Sequence, residues 1–367
     1  MPAGKANKHQ ILQLCKIGAD YLSKVKNYSE VTEFILLGIP HTEGLEKVLF
    51  GIFLFIYIFT LLGNFLILVA IISSSRLHTP MYFFLGLLST FDLFFPSVSS
   101  PKMLVFLSGN SRVISYKGCA SQLFFYHFMG CTEGILYSVM SYDRFVAICH
   151  PLRYTVIMNP RLCVFLAACT TLIGCIHATI LTSLTFQLPY CGPNEVDYYF
   201  CDIPAIIPLA CADNSLVQRV GFTNVGLLTV TLLFTILVSY THIGIAILRI
   251  RSAEGRSKAF STCSAHLAAI ICAFGPIIII YFQSTPNPLL GAVVQILNNI
   301  VSPMLNSLIY SLRNKEVKRA LKRVLLKRYL SVSVEHVSPW TCKFTQFHSA
   351  FIEKRMGSHQ SSDNIVQ

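Results

Sequence analysis

Charge is scarce in this chain of 367 residues: Asp, Glu, Lys and Arg together make up 13%, about half the share of a soluble domain. A surface that poor in charge cannot be kept wet, so soluble architectures are excluded, whatever number of domains the length allows. The mean hydropathy of +0.59 points the same way. Also missing are the His-Glu-x-x-His and Gly-x-Ser-x-Gly patterns. An intramembrane enzyme therefore lacks a metal or nucleophile constellation to work with. No repeat relates the two halves of the chain, which leaves a transporter or channel without its usual internal symmetry. The basic residues come without a nucleic-acid-binding motif, and no nucleic-acid partner is expected. A cleavable leader is lacking too, because Lys16 and Asp20 interrupt residues 11–22.

Seven apolar runs are long enough to cross a hydrocarbon core of about 30 Å, which needs about 20 helical residues. They are residues 48–72, 81–107, 119–142, 162–184, 220–248, 259–282 and 289–312. The expected fold is an all-α membrane protein, a seven-helix bundle over residues 48–312 with the first run as its insertion signal. Alternate connections hold the basic residues: Arg76, then Arg153 and Arg161, then Arg249, Arg251, Arg256 and Lys258. The long 186–216 connection has neither Lys nor Arg and carries Glu195, Asp197, Asp202 and Asp213. By the positive-inside rule the basic set is cytoplasmic, which puts the N-terminus outside and the C-terminus inside.

Residues 1–47 then form an extracellular segment, in which Asn27-Tyr28-Ser29 is a glycosylation acceptor. Residues 313–329 carry Val317, Ala320, Leu321, Val324 and Leu325 on one helical stripe. That pattern predicts a short amphipathic helix on the inner leaflet. Residues 330–367 read as a disordered cytoplasmic tail. From Arg313 onward eleven basic residues face four acidic ones, a balance suited to anionic membrane lipids or an acidic partner.

Of thirteen cysteines, Cys131, Cys149, Cys163, Cys169, Cys175, Cys263 and Cys272 lie in or beside spans and read as small buried apolar residues. Cys119 opens the third span, and Cys191, Cys201 and Cys211 are evenly spaced in the long outer connection. Outside the cell these four can form two bridges, in any of three pairings. A bridge to the third span would hold the loop as a lid over the bundle.

Ionisable groups at membrane depth are costly and mark functional candidates. Asn64, Asp92 and Glu133 stand at similar depth in the first three spans and suggest a shared polar site. One carboxyl there carries a proton, or a cation such as sodium sits between the two; the plain alternative is a structural polar knot between helices. Asp143 and Arg144 end the third span as a closed ion-pair switch or as a snorkelling arginine with its partner.

Five motifs carry a family resemblance. The first is Pro80-Met81-Tyr82-Phe83-Phe84-Leu85, followed by Leu88, Ser89 and Asp92. The second runs from Met140-Ser141-Tyr142-Asp143-Arg144-Phe145-Val146-Ala147-Ile148-Cys149 to His150-Pro151-Leu152-Arg153-Tyr154. Ser239-Tyr240 is the third, and Lys258-Ala259-Phe260-Ser261-Thr262-Cys263 with Ser264 and His266 is the fourth. Last comes Pro303-Met304-Leu305-Asn306-Ser307-Leu308-Ile309-Tyr310-Ser311-Leu312-Arg313-Asn314. In this order, over about residues 27–329, the chain resembles the mammalian olfactory receptors of the rhodopsin-like G-protein-coupled class.

The resemblance implies a plasma-membrane odorant receptor. A small volatile molecule binds in the outer half of the bundle, the third, fifth and sixth helices rearrange, and Arg144 is released. A stimulatory, olfactory-type G protein then raises cyclic AMP. It also implies a switch of Asp143, Arg144, Tyr240, Asn306 and Tyr310, and bridges Cys119–Cys201 and Cys191–Cys211. The implied pocket comprises Tyr126, His127, Gly130 and Cys131 on the third span, Asn224 and Leu228 on the fifth, and Phe274, Ile277, Ile278 and Tyr281 on the sixth. His127 and Cys131, four residues apart, form a packed polar pair or hold a soft metal. Several positions depart from the family. Phe145 stands for Tyr, Ser141 for Ala, Tyr198 for His, and Ala273-Phe274-Gly275 for Phe-Tyr-Gly. Ser307 replaces a proline that would ease bending of the seventh helix. The resemblance leaves the odorant, the tissue of expression and the two terminal extensions open.

Overall fold

The computed structural model describes residues 31–39, 44–281, 288–313 and 316–324. Seven long helices form the bundle: α1 Glu46–Ser73, α2 Pro80–Leu107, α3 Tyr116–Cys149, α4 Pro160–Phe186, α5 Ser215–Leu248, α6 Ala253–Tyr281 and α7. The last is composite, with Pro288–Ile296, a π-helical stretch Leu297–Val301, and Ser302–Arg313 in succession.

The starts are chemically marked. Pro80 and Pro160 occupy first-turn positions, where the missing N–H costs nothing. Asn159 accepts from the Leu162 N–H and Ser115 from the Gly118 N–H, each satisfying an orphan donor. Ahead of α5, the backbone N–H and hydroxyl of Ser215 donate to Asp213 and hold its carboxyl below the usual range.

Six of the helices are long and apolar enough to span a membrane by composition alone. The seventh, α3, is diluted by Gln122, His127, Glu133, Asp143 and Arg144. Its neighbours explain how it tolerates them: α3 packs against α2, α4, α5 and α6, and Gln122, Glu133 and Asp143 are buried. The outer faces are the reverse. Phe55, Phe65, Leu172, Leu227 and Phe234 are exposed, an apolar belt that only lipid would solvate.

Small residues allow close helix approach. A Cβ on Gly174 of α4 would collide with Thr132 and the Phe128 carbonyl of α3, and one on Gly63 of α1 would collide with the Ser307 hydroxyl of α7. Ser307, in place of proline, therefore seats α7 on α1, while its hydroxyl donates to the Met304 carbonyl at 2.7 Å.

One end of the bundle is roofed. Strands β1 Glu33–Leu36, β2 Val113–Ser115 and β3 Glu195–Val196 form a sheet in the order β2-β1-β3. β1 runs antiparallel to β2, with Glu33 opposite Ser115, and parallel to β3, with Ile35 opposite Glu195. Part of the segment expected to precede the bundle is thus woven into its loops. Phe34, Leu36, Cys119, Tyr190, Val196, Cys201 and Ile206 form a core under the sheet. Gly38, at φ +90°, turns the chain where a side chain would strike the Phe106 ring.

At the opposite end residues 316–324 form a helix, α8. Val317 and Ala320 are buried with Ala70 and Leu77, and Leu321 and Tyr82 pack beside them. This part of the stripe expected to face the inner leaflet is turned onto the bundle instead, because the ends of α1 and α2 offer it an apolar seat. Asn27, Leu325 and residues 330–367 lie outside the described residues.

Candidate ligand cavity and switch

Among α3, α5, α6 and α7 lies a cavity of about 810 Å³. The long connection between α4 and α5 forms its ceiling. Cys201 is bridged to Cys119 at the head of α3, with Cα atoms 5.4 Å apart, and Cys191 is bridged to Cys211. Gln122 of α3 adds a second anchor. Its Oε1 accepts from the Cys201 N–H at 2.8 Å, and its Nε2 donates to the Val98 carbonyl of α2. Tyr199 and Phe200 are buried below, with the Phe200 ring 4.9 Å from that of Tyr126. Burial, with Tyr199 and Asp202 beside it, pushes the Tyr198 phenol above its ordinary range and keeps it neutral.

The walls include Tyr126, His127, Gly130 and Cys131 of α3, Leu228 of α5, and Phe274 and Ile277 of α6. Two other described residues expected there, Asn224 and Ile278, are not among the lining. Ile278 follows Ile277 by about 100° around the helix and is exposed on the outer face. Asn224 is drawn toward α4, within hydrogen-bonding reach of His177. The Tyr281 side chain lies outside the described residues. His127 faces Asp202, with Nε2 3.6 Å from Oδ1. Its ring centroid is 6.0 Å from that of His177. Among the described residues no group of three or more His, Cys, Asp or Glu is arranged to hold a metal.

Sequence reasoning missed the α4 and α7 walls: His177, Gln295, Asn298, Asn299 and Ser302 also border the cavity. The signal was present, since a histidine in an apolar span and paired asparagines in another are polar groups at membrane depth. Gln295 accepts the Tyr126 hydroxyl at 2.8 Å.

At its deep end the cavity reaches Glu133 and Tyr137. Tyr137 donates to Glu133 at 2.9 Å, and the Asn306 amide donates to Asp92 at 3.0 Å and to the Tyr137 oxygen at 2.7 Å. A continuous chain of hydrogen bonds thus joins the two carboxyls across α2, α3 and α7. Asn64, expected in the same site, bonds elsewhere. Its Nδ2 donates to the Pro303 carbonyl at 3.1 Å and pins α1 to α7.

The opposite end carries the ion pair. Arg144 donates to Asp143 through Nε and through Nη2, the latter at 2.7 Å, and the Tyr154 hydroxyl donates to the other Asp143 oxygen at 2.8 Å. Asp143 has no solvent exposure. The Tyr240 hydroxyl lies 2.8 Å from His266 Nδ1, joining α5 to α6, and Tyr310 is buried.

Comparison with known proteins decides the family. A family description, Olfactory receptor, matches residues 53–328. Mouse olfactory receptor 10N1 is 73% identical over 81% of this chain and 96% of its own length. Human olfactory receptor 10D3 is 69% identical over 82% and 97%. The chain belongs to the olfactory receptor family. Human olfactory receptor 10G7, at 49% identity over 82% of the chain, matches across the same extent. As a member, this olfactory receptor is a multi-pass membrane protein of the rhodopsin-like G-protein-coupled class and not an enzyme.

Proposed function

We propose that this receptor binds small, largely apolar volatile molecules in the cavity under the α4–α5 connection. The signal passes to a stimulatory, olfactory-type G protein at the Arg144 end, which raises cyclic AMP. The observation that carries the reading is the shared membership of Glu133 and Tyr137. They border the cavity and also belong to the hydrogen-bonded chain that ends on Asn306 and Asp92. A ligand that displaces either side chain thereby disturbs the packing of α7 against α2 and α3. An agonist acts through its better fit to the rearranged state. That state is one in which the Asp143–Arg144–Tyr154 cluster has opened.

The same reading sets the receptor in the plasma membrane with the sheet outside. Two disulfides at the roofed end require an oxidising compartment. Arg76, Arg153 and Arg249 in connections and Arg161 in the first turn of α4 lie at the other end, as the positive-inside rule asks of a cytoplasmic face.

The test is cyclic AMP in cells expressing the receptor, challenged with a broad odorant panel. Arg144→Ala is expected to abolish the response, with surface expression largely intact. A normal response from that variant would overturn the switch assignment.

A further inference from the structure

The wall contributed by α7 has a chemistry of its own. Asn298 and Asn299 lie in the π-helical stretch Leu297–Val301, and Ser302 follows it directly. Wider π turns inside α-helices recur at functional sites. Asn299 and Ser302 are almost completely buried, and all three residues border the cavity. The Asn299 Nδ2 is spent on the Tyr199 hydroxyl at 3.3 Å. Asn298 Oδ1, Asn299 Oδ1 and Ser302 Oγ have no hydrogen-bond partner among the described residues. Buried polar atoms are almost always paired, so three orphans beside one cavity ask for a partner that the bundle does not supply.

The orphans are weighted toward acceptors. Two are amide oxygens, the third is a hydroxyl able to accept or donate, and the Glu133 carboxylate borders the same space. On the α3 side the Tyr126 hydroxyl donates to Gln295, while His127 Nε2, 3.6 Å from Asp202, is a further buried atom with no hydrogen-bond partner among the described residues. Arg219, which also borders the cavity, is exposed at its rim. Leu228, Leu232, Phe274 and Ile277 leave the remainder apolar.

We propose that α7 forms a hydrogen-bond-accepting subsite, and that the receptor therefore selects odorants with an apolar body and a hydroxyl head over ethers and ketones of the same skeleton. The selection rests on the odorant-binding reading of the cavity. A hydroxyl proton can meet Asn299 Oδ1 or Asn298 Oδ1 while its oxygen accepts from Ser302. An ether oxygen or a ketone offers no proton and leaves the amide oxygens unpaired, which is the asymmetry that lets a polar site reject an analogue lacking the group.

The test uses matched probes, octan-1-ol, its methyl ether and octan-2-one, with a parallel cyclic and phenolic set. Two readouts are taken on the full-length receptor: cyclic AMP in cells, and the thermal shift of the purified protein. Alcohols and phenols are expected to bind and signal about tenfold more potently than their ethers and ketones, the worth of one net hydrogen bond. Asn299→Leu and Asn298→Leu, which remove the acceptors, should shrink that ratio and leave the ether's potency nearly unchanged, whereas Ser302→Ala removes a donor open to every probe and should weaken all classes together. If Asn299→Leu fails to reach the surface, Asn298→Leu, at the less buried of the two asparagines, carries the comparison.

Equal potency across the probes, an unchanged ratio in Asn298→Leu and Asn299→Leu, or no thermal shift with any probe would overturn the subsite. A thermal shift selective for hydroxyl probes without cyclic AMP would uphold the subsite and count against the signalling reading.

Discussion

Asp143 is held without exposure to solvent by three donor contacts, two from Arg144 and one from Tyr154. The Tyr154 hydroxyl belongs to the short helix Tyr154–Ile157 beyond the end of α3. It therefore ties that connection to the ion pair. Hydrogen bonds to charged groups contribute about 1.5–3 kcal/mol. Tyr154→Phe is accordingly expected to loosen the closed state and raise ligand-free cyclic AMP several-fold, with the response to Arg144→Ala unaffected by it. Ligand-free signalling equal to that of the parent would remove Tyr154 from the lock. The Asp143–Arg144 pair was legible as residues. Its third member was not, because Tyr154 lies eleven positions away and reaches Asp143 only after the chain has turned through Pro151–Arg153.

Among the helices, α3 is the element on which the others depend. Its polar residues lower its hydropathy, and they are affordable because neighbouring helices cover them. Close packing against α4 is secured at Gly174, where Thr132 and the Phe128 carbonyl occupy the space of a side chain. Gly174→Leu is expected to force the pair apart and destabilise the bundle by about 1–3 kcal/mol or more, the usual range for overpacking. A melting temperature of the purified receptor matching the parent's would refute that account. Helix positions were readable from long apolar runs, because a lipid-facing helix must be apolar along its length. The turn of Ile278 away from the cavity and of Asn224 toward His177 were less readable. Apolar residues surround a membrane helix on every side, so hydrophobic periodicity gives little phase. The π-helical stretch in α7 shifts the phase again, which is how Asn298 and Asn299 came to be missed.

For the molecule as a whole, the roof joins three distant parts of the chain. The Cys119–Cys201 bridge closes a loop of 82 residues, worth about 4 kcal/mol in the chain-entropy model. The sheet adds β1 to the same roof. Cys119→Ser is therefore expected to reduce surface delivery markedly, measured by labelling intact cells. Unchanged trafficking and response would show that the sheet and the Gln122 bond suffice alone.

Sequence by itself determined the membrane as solvent, the seven crossings, the ion pair, the four bridging cysteines and the family. Each is written in composition, run length or a contiguous motif, and needs no knowledge of what lies across the bundle. Tertiary structure alone decided that Asp92 and Glu133 communicate through Asn306 and Tyr137, and that Asn64 serves α7 instead. It also decided that the α4–α5 connection roofs the cavity and that α7 lines it with unpaired acceptors. Those relations join residues up to 239 positions apart, and a hydrogen bond forms only where helix rotation and depth bring its two atoms within about 3 Å.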